Sequence, residues 1–207
     1  VAYQTAYLKT LYPVEYMASL ISTVDDTDKI NRYITNCKEM KIDCLPPDVN
    51  KSRWGFTVED GKIRFGLGAV KNVGRAFIDS MLKERDLRGE FKNFSDFIDR
   101  NTGADLNKRA VEGLIACGAF DSMGVYRSQL TEIYEFAMEG ASDRRHNNIA
   151  GQLSLFDDDE STEMELPPIP EFDKRELLRL EKQSMGLYLS GHPMDEYKDI
   201  AKRIKAD

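Results

Sequence analysis

Val70-Lys71-Asn72-Val73-Gly74-Arg75 sets an asparagine and a glycine between two cations. Asparagine tolerates the left-handed region and glycine adopts conformations that other residues avoid, so Lys71 to Gly74 is suited to a tight turn. Such a turn points backbone N–H groups outward at the start of the next helix, where the dipole also favours anions. Lys71 and Arg75 add positive charge beside it, and the chemistry on offer is capture of a phosphate. A second stretch follows the same logic. Asn107-Lys108-Arg109 opens a helix that ends at Gly118-Ala119-Phe120-Asp121, with Gly124 and Arg127 just beyond. Cations in a first helical turn oppose the dipole, so Lys108 and Arg109 hint at an external anion. The ordinary alternatives are a glycine-capped corner at the first stretch and solvated charges at the second.

Both stretches resemble helix-hairpin-helix turns, which grip the DNA backbone without reading bases and in pairs can straddle a minor groove. The usual hairpin has glycine at both ends of its turn; Asn72 stands where the first would be. A further motif is the pentapeptide Gln152-Leu153-Ser154-Leu155-Phe156, which runs into the acids Asp157 to Glu160. Its glutamine carboxamide can donate and accept hydrogen bonds at a pocket mouth. Leu155 and Phe156 can fill an apolar pocket, concentrating binding in a few anchors. The pentapeptide resembles, at all five positions, the peptide by which bacterial replication and repair proteins dock into the sliding clamp.

Other chemistry is weakly represented. Gly66 and Gly68 lack the strand-to-helix G-x-G-x-x-G or Walker context of a nucleotide loop. Four adjacent acids at Asp157 to Glu160 are more often solvated charge than metal ligands. His146 and His192 stand alone, and Cys37, Cys44 and Cys117 show no C-x-x-C spacing. No metal, disulfide framework or cofactor is expected in this chain, and the cysteines fit a reducing cytoplasm.

The elements that must position these residues read as mainly α. A helix follows Pro13 and carries Met17, Leu20 and Ile21. Another starts among Asp25 to Asp28, with Ile30, Tyr33, Ile34 and Cys37 as its buried stripe, and stops before Pro46-Pro47. One β-hairpin is expected: Trp54, Phe56 and Val58 alternate, Asp60-Gly61 makes the turn, and Ile63, Phe65 and Leu67 alternate again. Helices return over Arg75 to Arg85, around Phe94 to Ile98, over Leu106 to Ala116 and over Arg127 to Met138. From near Gly140 to Asp173 the acids and Pro167, Pro168 and Pro170 predict a linker of low intrinsic structure that holds the pentapeptide. Lys174 to Met185 reads as a last helix. Tyr3, Tyr7, Tyr12 and Tyr16 recur about every four residues, which predicts helix packing.

With 207 residues and a net charge of −7, the chain is long enough for one large domain or two small ones, and its acidity counts against nucleic acid. The charge is uneven, however. Residues 62–131 hold 12 basic against 9 acidic side chains, a balance of +3, whereas residues 132–184 hold 6 against 14, a balance of −8. No apolar run approaches the roughly 20 residues of a membrane span. The first residue is Val1, and the expectation is a piece of something longer.

Several motifs in order resemble the bacterial DNA polymerase III alpha subunit family, the C-family replicative polymerases. They are Tyr3-Gln4-Thr5-Ala6-Tyr7-Leu8-Lys9, Tyr12-Pro13-Val14-Glu15-Tyr16-Met17-Ala18, Leu45-Pro46-Pro47-Asp48-Val49-Asn50 and Ile63-Arg64-Phe65-Gly66-Leu67. Val70 to Gly74, Cys117 to Asp121 and Gly186-Leu187-Tyr188-Leu189-Ser190-Gly191-His192-Pro193 continue the series. The resemblance spans nearly the whole chain apart from the acidic linker. It implies that 1–60 is the C-terminal part of the polymerase fingers and that 61–140 is a tandem helix-hairpin-helix module on duplex DNA. It further implies that 141–173 is the flexible acidic linker with the clamp-binding peptide, and that 174–207 leads towards an oligonucleotide-binding domain. The implied partners are duplex DNA, the sliding clamp and the rest of the polymerase holoenzyme, in the cytoplasm and away from membranes. The palm carboxylates and Mg2+ of the parent's chemistry are not implied here, so the chain alone is expected to be non-catalytic. A free-standing DNA-binding clamp adaptor and a helical interaction scaffold are the alternatives.

Overall fold

The computed structural model describes residues 1–24, 26–103, 106–149 and 164–197. Two helices open the chain, α1 (Ala2–Leu11) and α2 (Pro13–Ser22), with Pro13 at the first helical position of the second. The next, α3 (Thr27–Glu39), starts at Asp26, whose carboxylate accepts from the Asp28 and Lys29 N–H groups at 2.8 and 3.2 Å. Met17, Ala18 and Ile21 of α2 and Ile30, Ile34 and Cys37 of α3 are buried. By contrast α1 buries nothing: Tyr3, Tyr7 and Tyr12 are exposed, and only Tyr16, on α2, packs partly on the core. The tyrosine spacing therefore misled, because α1 lies along α2 alone among the described elements that it packs against closely.

The β-hairpin forms about the turn that was read but with shorter strands, β2 (Thr57–Glu59) antiparallel to β3 (Lys62–Arg64); Trp54 and Phe56 precede β2, Phe65 follows β3, and Leu67 opens a 3-10 segment. Asp60 and Gly61 both take positive φ, 50° and 73°, which matches the right-handed twist of the flanking strands. A third strand went unread: β1 (Cys44–Leu45) pairs parallel with β3, giving the order β1-β3-β2. Two residues before Pro46-Pro47 carry too little pattern to be legible. The Arg64 guanidinium ties the sheet together, donating to both Glu59 carboxylate oxygens at 2.8 and 2.9 Å and to the Pro46 carbonyl at 2.8 Å.

Five helices follow: α4 (Arg75–Arg88), α5 (Phe94–Asn101), α6 (Lys108–Ala116), α7 (Arg127–Ile149) and α8 (Lys174–Met185). Their shared core is aromatic. Phe97 meets Phe77, Phe91 and Phe120 edge-on, and Phe94 meets Phe120 at 5.1 Å. The buried guanidinium of Arg85 donates to the Val49 and Ser52 carbonyls, locking the loop that carries Asp48, Val49 and Asn50 against α4.

The largest departure from expectation concerns the acidic segment. The helix does not end near Gly140; α7 continues to Ile149. A glycine inside a helix costs about 0.5–1 kcal/mol. Buried Ala137 and Ala141, an Arg144–Asp99 ion pair and an Arg145 hydrogen bond to the Thr102 carbonyl offset that cost. Residues 164–173 are likewise held. They form a strap across the start of α7, where the Pro167 and Pro170 carbonyls accept from Gln129 and Ser128 at 2.9 and 2.8 Å. The pentapeptide Gln152 to Phe156 lies outside the described residues. Among the described residues no helix is long and apolar enough to cross a membrane.

Candidate nucleic-acid interface

The first hairpin turn is built by a short 3-10 segment, Leu67–Ala69, that leads into α4. Asn72 takes the left-handed conformation, with φ 66°. Gly74 does not: it is the N-cap of α4 in ordinary extended backbone, φ −72° and ψ 149°. A Cβ there would meet nothing within 4 Å, so the helix start faces open space. No side chain caps α4 and no acid stands in its first turn. Helices α3, α5, α6 and α8, by contrast, are each capped by Asp26, Asn93, Asn107 or Asp173. The α4 N-terminus therefore presents unanswered N–H groups and the positive end of its dipole to solvent.

The surroundings hold this turn in place. The Lys71 N–H donates to the Ser184 carbonyl of α8 at 2.8 Å. On the other side α6 approaches so closely that a Cβ on Gly113 would sit 2.8 Å from the Lys71 carbonyl. Lys71 and Asn72 border a pocket of about 260 Å³ together with Arg109, Arg179 and Gln183. Arg75 lies to one side, its guanidinium 4.5 Å over the Trp54 ring and 3.3 Å from the Asp79 carboxylate. Gly66 and Gly68 are explained by the same tryptophan. A Cβ on Gly66 would come within 2.6 Å of the Trp54–Gly55 backbone, and one on Gly68 within 2.6 Å of the indole. These glycines make room for a shelf beneath Arg75 and have no part in a nucleotide loop.

The structure thus brings Lys71, Asn72 and Arg109 to one pocket and leaves Arg75 beside the open helix end, with Val73 buried beneath the turn. Lys108 is engaged elsewhere. Its ammonium reaches Glu135 and Glu139 of α7 at 3.0 and 3.6 Å, and Glu135 above all holds its pKa higher than usual. An internal acceptor accounts for this cation in the first turn of α6.

The second hairpin runs from Ala116 through Gly118 and Gly124, whose φ values are 78° and 74°, into α7. Here the helix end is occupied from within. The Glu171 carboxylate of the strap accepts from the Arg127 and Ser128 N–H groups at 2.8 and 3.1 Å. Gln129 covers the Tyr126 N–H at 3.0 Å. The Arg127 side chain turns inward, 8% exposed, to Asp121 at 2.7 Å, the Ala116 carbonyl at 3.2 Å and buried Glu181 at 3.8 Å. Burial works against its charge, but Asp121 and Glu181 prevail and raise its pKa. Burial pushes the nearby Cys117 thiol up to about 12, so it stays protonated.

Sequence reasoning missed Trp54, Glu171 and Glu181 as parts of this region. Trp54 read as hairpin packing, and Glu171 was one acid among many in an acidic run. Glu181 read only as a residue of the last helix, with no sign of its distant partner.

Residues 41–130 match the model of a family described as the helix-hairpin-helix motif. Among curated proteins, the DNA polymerase III subunit alpha of Saccharopolyspora erythraea is 40% identical over 94% of this chain and 17% of its own length. That of Vibrio cholerae is 38% identical over 98% of this chain and 18% of its length. That of Thermus aquaticus is 41% identical over 96% and 16%. The chain spans less than a fifth of the length of these relatives.

Proposed function

Because this chain is homologous, along nearly all of its length, to a segment of the DNA polymerase III alpha subunit family, we propose that it is the duplex-holding and clamp-tethering part of such a replicative DNA polymerase. The observation that carries the reading is the uncapped α4 N-terminus at Gly74, flanked by Lys71 and Arg75 inside the residues matched to the helix-hairpin-helix motif. Phosphate oxygens would accept from its N–H groups while the two cations supply sequence-independent attraction. Such binding is non-specific and weakens with salt.

The second half of the proposal concerns Gln152 to Phe156 as the sliding-clamp peptide. A weak contact of this kind works by effective concentration: it keeps the parent enzyme near the primer end because rebinding becomes intramolecular. Nucleotidyl transfer belongs to other parts of the parent. Among the described residues no three His, Cys, Asp or Glu side chains come together to hold a metal ion, so no step through Mg2+ is assigned here.

Anisotropy titration of a labelled blunt duplex over a series of salt concentrations tests the first half. The double substitution Lys71→Ala, Arg75→Ala should weaken binding and flatten the log K against log salt slope by roughly 1–2. An unchanged slope removes both residues from the contact. Calorimetric titration into a bacterial sliding clamp tests the second half. Micromolar binding, about −8 kcal/mol, is expected and should be lost in the Gln152→Ala, Leu155→Ala, Phe156→Ala variant. Binding that survives the triple substitution ends the tether reading.

A further inference from the structure

The outer face of α8 carries Lys174, Arg179 and Lys182, which line a pocket of about 480 Å³ together with Tyr188, His192 and Tyr197. Its volume lies in the ~300–1,000 Å³ range of small-ligand sites. No acid is among its lining residues, although the chain as a whole carries −7. Arg179 is answered by Glu176 at 2.6 Å, but Lys174 and Lys182 make no ion pair among the described residues. The Lys182 ammonium donates to the Gly186 carbonyl at 2.8 Å and stands 5.4 Å from the Tyr188 ring, which in turn meets His192 edge-on. Tyr197 is 44% exposed. Arg179 and Gln183 also border the pocket beside Lys71, Asn72 and Arg109, so only the α8 ridge separates the two hollows.

We propose that this pocket seats unpaired nucleotides of a strand running on from the duplex at the first hairpin, its cations meeting phosphate oxygens and its tyrosines meeting base faces. The inference rests on the nucleic-acid reading above and adds a separate site to it. Cations interleaved with aromatic rings suit a single strand, because every unstacked base offers a π-face. A duplex conceals those faces and would use the cations alone.

The test is anisotropy of this chain with labelled oligothymidylate and, in parallel, with blunt duplex. Lys174→Glu with Lys182→Glu should lower single-strand affinity at least tenfold and duplex affinity less than twofold. Tyr197→Leu should lower single-strand affinity severalfold while leaving the salt slope unchanged. Lys71→Ala with Arg75→Ala should give the opposite preference, so failure of the hairpin reading leaves the pocket's own signature visible. Unchanged unfolding temperatures, read for each variant, exclude loss of fold as the cause. Single-strand affinity unmoved by the charge reversals would overturn the proposal. So would a parallel fall for strand and duplex, or displacement of the oligonucleotide by polyglutamate or inorganic phosphate as readily as by unlabelled strand.

Discussion

At the first hairpin the helix that follows the turn, α4, begins at Gly74 with nothing over its N–H groups. At the second, α7 begins beneath the Glu171 carboxylate and sends its first side chain, Arg127, into the interior. The two turns look alike in sequence: each has a glycine, a nearby cation and a following helix. One nonetheless leaves its anion site open, while the other fills that site with a carboxylate 44 residues away. The lesson is that a helix N-terminus is a binding site only when the rest of the chain has not already used it. The strap at 164–173 makes that choice here. It converts the second hairpin into a structural joint that unites α6, α7 and α8, and the helix end at the first is left uncapped.

Three substitutions probe this contrast, taken from the largest effect to the smallest. If the second hairpin is a joint, Arg127→Met should be severe, because it strands buried Glu181 without its cation. A loss of about 3–5 kcal/mol is expected, seen as a fall in the thermal midpoint of roughly 10 °C or more. A fall of a degree or two would mean that the guanidinium does not hold the joint.

At the first hairpin the sensitive point is conformational. Asn72→Val forces a β-branched residue into φ 66° and should cost about 1–2 kcal/mol; Asn72→Gly should be close to neutral. Equal denaturant midpoints for the two variants would show that the turn relaxes out of the left-handed region.

The smallest effect on stability, and the sharpest on the comparison, belongs to Glu171→Ala, which removes the acceptor from the Arg127 and Ser128 N–H groups. Losing a charged partner at a helix N-terminus should cost about 1 kcal/mol. The same change uncovers the second anion site, so duplex affinity at low salt should rise severalfold. Duplex binding that stays level would leave the first hairpin as the sole contact even when the second is open.

Much of the local structure was readable beforehand. Asp60-Gly61 marked a two-residue turn because both positions must tolerate positive φ, and both do. Asp26 stands among the residues read as caps for α3, since a short polar side chain can reach back to the first N–H groups; the caps at Asn93 and Asp173 went unread. Asn72 was legible as a left-handed residue. Gly74 was read for its freedom of φ, but it stands in ordinary extended backbone where a Cβ would meet nothing within 4 Å. The two-residue strand β1 and the run of α7 beyond Gly140 were not legible. Both depend on partners, β3 for the one and Asp99 and Thr102 for the other, that lie far away in the chain.

For the candidate site the same division holds. The sequence alone determined the turn at Lys71 to Gly74, the cations beside it and the pentapeptide at Gln152 to Phe156, because backbone preference and residue type act over a few positions. Only the tertiary structure decided which of those groups remain free for a ligand. Lys108 is answered by Glu135, Arg127 by Asp121 and Glu181, and the α7 N-terminus by Glu171. Ionic and hydrogen-bonding partners are chosen by distance in space, and that distance is set only once the helices have packed.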